Sequence, residues 1–181
     1  MTPQTTSEIT LDLLIHPWYG LSPDCRSPYG NSPSWYREVR ELLSHENISA
    51  GMYADILLLQ YLDHFAVSVD DPHYRVIFVE DDRSYLRSRN NLLEQQAKEI
   101  LGERFIREAR VEAGVSLFDV LPEVVKSSKI NLRVYGEVSF LCVSAYSDFA
   151  SGSLEELGLS VTSTILPELC GDLIDGKEKL F

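Results

Sequence analysis

Short apolar runs, each closed by a turn and followed by a segment of helical period, are the feature that most restricts how this chain folds. Residues 9–15 (ITLDLLI) end at His16-Pro17, and residues 74–79 (YRVIFV) stop at the acidic run Glu80-Asp81-Asp82. Residues 105–111 alternate apolar and polar, residues 131–135 (NLRVY) end at Gly136, and residues 159–166 follow Gly158. Runs of this length bounded by turn residues predict strands. Between them the period changes. Residues 52–65 predict a helix; Leu92, Leu93, Ala97, Ile100 and Leu101 recur at helical spacing up to Gly102; residues 116–125 and 139–157 predict two more. Residues 17–33, with four prolines and two glycines, predict a loop. After it, Ser34 is placed to cap a helix over 34–43 that carries Trp35, Val39, Leu42 and Leu43 on one face.

Strands separated by helices require crossover connections, and crossovers produce parallel neighbours. The expectation is one domain over residues 1–181: a three-layer α/β/α, Rossmann-like fold around a mainly parallel, doubly wound sheet. At 181 residues, 44% of them hydrophobic, such a domain buries a core without disulfides or metal.

Charge narrows the function classes. Sixteen basic against 28 acidic side chains leave a formal charge of −12, which argues against nucleic-acid and anionic-membrane partners. Cys25, Cys142 and Cys170 are far apart with no ligand spacing, and the N-terminus has no basic-then-apolar leader. Both predict a cytoplasmic protein in a reducing compartment. Gly102, Gly114 and Gly136 form neither a GxGxxG nor a P-loop, so no cofactor is expected.

In doubly wound sheets, ligands bind beyond the carboxyl ends of the strands. That rule selects His16 and Trp18, residues 80–82, Glu112, residues 137–142 and residues 167–170. Within V-Y-G-E-V-S-F-L-C-V-S (134–144), Ser139 is placed to cap the following helix and Cys142 to fall in its first turn. A thiol there feels the positive end of the helix dipole, which favours thiolate; a small buried apolar residue is the alternative. Trp18, Tyr19, Tyr29, Trp35 and Tyr36 gather near the first loop, as a pocket wall, a subunit contact or core packing. The acidic run 80–82 is either a solvated strand end or, with Glu112 or Glu137, a set of oxygens for a divalent cation; no metal motif accompanies it.

The stretch from Gly136 to Cys142-Val143 resembles the isochorismatase-like (nicotinamidase-type) cysteine hydrolases, with Ser139 at the family's small-hydroxyl position. The order of elements over residues 9–172 is similar too. The resemblance implies a small amide- or ester-like substrate and Cys142 as nucleophile. Two family positions have changed type: His16 stands where the resemblance implies Asp, and Glu112 where it implies Lys. The implied catalytic set is therefore Cys142, His16 as base and Glu112 orienting it, with Trp18, Asp81, Glu137 and Ser139 around the ligand. The other reading is a non-catalytic relative that binds a small ligand or serves assembly as a homo-oligomer.

Overall fold

The computed structural model describes residues 8–18, 50–80, 87–108, 129–136 and 142–170. Five strands form one sheet: β1 (Glu8–Ile15), β2 (Tyr74–Val79), β3 (Phe105–Glu108), β4 (Lys129–Gly136) and β5 (Ser160–Cys170). Their order is β3-β2-β1-β4-β5, and every neighbouring pair is parallel. The helices are α1 (Ala50–Ser68), α2 (Arg87–Leu101), continued by one 3-10 turn over Gly102–Arg104, and α3 (Ser144–Glu156). The expected three-layer α/β/α sheet is present.

Burial on both faces explains why the central strands read as apolar runs rather than as alternating ones. In β1, Leu11, Leu13, Leu14 and Ile15 are all fully buried. The register separates the faces: Asp12 lies beside Val76 and Arg133, and Leu11 beside Arg75 and Leu132. On the Asp12 face, α1 contributes Phe65, whose ring meets Phe105, the register partner of Val76. The opposite face carries Leu132 and its partner Ser163, whose hydroxyl meets that of Ser147 on α3 at 2.8 Å. Thus α1 and α3 lie on opposite sides, as right-handed crossovers running in opposite directions from the centre demand.

Helix burial follows the 3.6-residue period. Ala54, Leu57, Leu58, Tyr61 and Phe65 of α1 are buried, as are Leu93, Ala97 and Leu101 of α2 and Ala150 and Leu154 of α3. The apolar residues Leu59 and Val67, which blur the period of α1, face outward.

Several boundaries differ from the sequence expectation. The first described helix extends over Ala50–Ser68 rather than 52–65. The strand expected to stop at residue 166 continues to Cys170, so residues 167–170 belong to β5 rather than lying beyond it. A register shift makes room for this: Val134 pairs with Ile165, but Gly136 pairs with Cys170. Leu166, Pro167, Glu168 and Leu169 thereby stand against Tyr135 alone, a bulge that carries a proline lacking a ladder N–H. The last helix is α from Ser144 and is preceded by π-helical residues Cys142 and Val143; residues 139–141, where its expected start falls, lie outside the described residues. The helices expected over 34–43 and 116–125 lie outside the described residues.

Candidate functional site

The sheet has its topological switch point between β1 and β4, where connections leave toward opposite sides. Open sheets of this kind bind ligands in the crevice there, beyond the carboxyl ends. β1 ends at Ile15, whose partner in β4 is Gly136. The approach is unusually close. Gly136 has φ +126°, and a Cβ built on it would stand 1.9 Å from the Ile15 carbonyl oxygen. Only glycine fits this position.

His16 follows immediately. Its N–H donates to the Val79 carbonyl at 3.0 Å, extending the β1–β2 ladder by one bond. Its φ of 42° places a non-glycine residue in the left-handed region, a conformation found disproportionately at functional sites. The imidazole is buried, 8% exposed, with its ring edge-to-face on Tyr146, centroids 5.9 Å apart. Tyr146 lies one helical turn after Cys142. Cys142 is half-buried where α3 begins, against the same apolar cluster as Tyr146. His16 and Cys142 therefore come to one end of the sheet, on either side of the switch point. Val143 occupies the N-cap of α3 without a side-chain cap.

Trp18 is placed differently from a solvent-facing pocket wall. The left-handed turn at His16 sends its indole inward, 1% exposed, edge-on to Tyr61. Its Nε1–H donates to Asn90 Oδ1 at 3.0 Å, and Asn90 Nδ2 donates to Glu80 Oε2 at 3.3 Å. Glu80 also accepts from Arg107, which donates to Glu94 Oε2 at 2.8 Å. Hydrogen bonds from Lys98 and Arg107 hold the Glu94 carboxyl below its ordinary 4.5. Burial pulls the Arg107 guanidinium down, but Glu80 and Glu94 outweigh it and the net shift is upward. Glu80 is thus committed to protein partners. Among the described residues, no three His, Cys, Asp or Glu side chains gather as metal ligands. Glu112, Asp81, Glu137 and Ser139 lie outside the described residues, as do Tyr19, Tyr29, Trp35 and Tyr36.

A second polar centre was not anticipated. Asp12, in the middle of β1, is fully buried. Its Oδ2 accepts from Tyr74 Oη at 2.7 Å and Tyr135 Oη at 2.9 Å and meets His64 Nε2 at 2.8 Å. Its Oδ1 accepts from Arg133 Nε at 2.6 Å. Arg133 also lies over the Tyr74 ring, 5.3 Å from its centroid. Paired and hydrogen-bonded in this way, a buried carboxylate is tolerated. The signal for it was available in the sequence: one acid inside ITLDLLI and one base inside NLRVY, in strands that the fold class makes central.

Burial, and after it the Asp12 charge, push the Tyr74 and Tyr135 hydroxyls well above the ordinary phenol value of 10.0. A raised folded pKa stabilises fully below the unfolded value and less as pH rises past it. Stability should therefore fall above about pH 10. In an alkaline titration, the phenolate absorbance of these two side chains should appear only together with loss of far-ultraviolet circular dichroism. Tyr74→Phe should reduce that coupled step; full ionisation of all tyrosines in the folded protein would contradict the burial argument.

Among the described residues, no helix is long and apolar enough to cross a membrane. No protein-family model, curated protein or solved structure matches the chain.

Proposed function

We propose that the crevice between β1 and β4 takes a small amide- or ester-like substrate and that Cys142 hydrolyses it. His16 removes the thiol proton, and the thiolate sulfur bonds to the carbonyl carbon. The leaving amine or alcohol departs with that proton, leaving a thioester on Cys142. Water, deprotonated by His16, then displaces the sulfur, releasing the carboxylic acid and restoring the thiol. Glu112 orients the imidazole, and Asp81, Glu137 and Ser139 complete the ligand surroundings. The observation behind this reading is the edge-to-face contact of His16 with Tyr146, four residues after Cys142 on the same helical segment. The left-handed backbone at His16 and the π turn at Cys142 support it, since both features favour functional sites. The chemistry suits a reducing cytoplasmic setting, in which a free thiol persists.

The packing of Cys142 against the apolar cluster favours a second reading, a non-catalytic module that binds a small ligand or assembles. Alkylation at pH 7, followed residue by residue by peptide mapping, separates the two. A catalytic Cys142 alkylates faster than a small free thiol, and His16→Ala slows it by about tenfold as the thiol returns toward an ordinary pKa. If Cys142 is inert, or indifferent to His16→Ala in a folded protein, the hydrolase reading fails and the binding module stands.

A further inference from the structure

The two edges of the sheet are unlike. β3 is four residues long and carries Arg107 and Glu108, with Arg107 held by Glu80 and Glu94. Short, charged edges discourage further pairing. β5 is eleven residues long, and no described strand pairs with its outer side. From Leu157 to Pro167 it and its approach contain no charged residue, in a chain whose net charge is −12. A net negative charge makes two copies repel on average, and an uncharged edge adds nothing to that repulsion.

Its central sequence, V-T-S-T-I over residues 161–165, is also symmetric in character about Ser163. We propose that β5 pairs antiparallel with β5 of a second copy, about a two-fold axis at Ser163, joining two five-stranded sheets into one of ten.

In this register Thr162 stands opposite Thr164 of the partner subunit, and Val161 opposite the partner's Ile165. From residue 161 to residue 165 each side chain meets one of its own kind, which is the self-complementarity an isologous interface needs. Thr–Thr and β-branched pairs are favourable cross-strand contacts. Thr162 and Thr164 are exposed, and Val161 and Ile165 are half-buried. The pairing segment spans about 23 Å, at roughly 3.3 Å per residue, and Pro167 ends it by removing an N–H. On the face that carries Val161, Ser163 and Ile165 lies α3. The pairing is independent of the chemistry at Cys142.

Sedimentation equilibrium of the full chain tests this through a charge swap. The unaltered protein is expected to fit a monomer–dimer equilibrium. Thr162→Lys with Thr164→Lys sets like charges opposite one another twice across the axis, and should raise the dimer dissociation constant about tenfold or more. Thr162→Glu with Thr164→Lys sets opposite charges there and should restore the dimer. Both variants keep a lysine beside Arg133, the register neighbour of Thr164, so any folding cost of that contact is common to the two. Circular dichroism and thermal melting establish that each variant is folded. A protein that stays monomeric at about 100 µM overturns the proposal, as does a dimer indifferent to the swap. Hydrogen-exchange protection of residues 160–166 in a monomer would assign the edge to another part of the same chain and overturn it equally.

Discussion

Replacing Asp12 with alanine should lower the unfolding free energy by about 3 kcal/mol or more, the cost of breaking a buried ion pair by removing one partner. The carboxylate joins three strands and a helix: its own β1, Tyr74 of β2, Arg133 and Tyr135 of β4, and His64 of α1. Without it, two buried phenols lose their acceptor and a guanidinium loses its counter-charge. The Arg133 side chain is 22% exposed, which places the loss toward the lower end of the range for buried pairs. Burial pulls the Arg133 pKa down, and the neighbouring Asp12 more than reverses that. A double-mutant cycle isolates the pair: in an Arg133→Met background, Asp12→Ala should cost distinctly less, because no charge is then stranded. Equal costs in both backgrounds, measured by urea unfolding, would show that the pair is not coupled.

Gly136→Ala should have an effect at least as large, for a different reason. The added Cβ meets backbone rather than a yielding side chain: Ile15 O at 1.9 Å, with Ile15 C and N both at 2.8 Å. β1 and β4 must separate, or Gly136 must leave a φ of +126° that alanine rarely adopts. Either movement spreads into the two most central strands, and a loss above about 4 kcal/mol is expected, in the range reserved for strain or overpacking. Gly102→Ala is the control. That residue also has a positive φ, of 59°, but its Cβ would meet nothing within 4 Å, so it incurs conformational cost alone. Comparable losses at the two glycines would refute the steric account.

The fold was readable because its central strands are buried on both faces, and the turns that close them coincide with breaks in period. The run 74–79 matches β2 residue for residue. Boundaries set by tertiary pairing were less legible. β5 passes through Pro167 because a bulge beside Gly136 accommodates it, and nothing local to I-L-P-E-L-C announces that. The rule that ligands gather at carboxyl edges, which uses topology alone, selects His16 and Cys142 as candidates. Core packing was one of three readings open to Trp18, and what decides among them is a hydrogen bond to Asn90, 72 residues away. Asp12 is not legible from any rule about strand ends, because it is a charge in a strand's middle. In a parallel sheet covered on both sides, such a charge must find a partner.

The bulge in β5 also bears on how the chain can vary. Residues 166–169 separate two stretches that are paired independently, up to Val134–Ile165 and again at Gly136–Cys170. A residue gained or lost within the bulge is absorbed there, and neither stretch has to slip. The outer strand can therefore lengthen, shorten or change composition while the spacing at the switch point stays fixed. Variation at the edge and geometry at the switch point are uncoupled, so the edge can change sequence without moving Ile15 against Gly136.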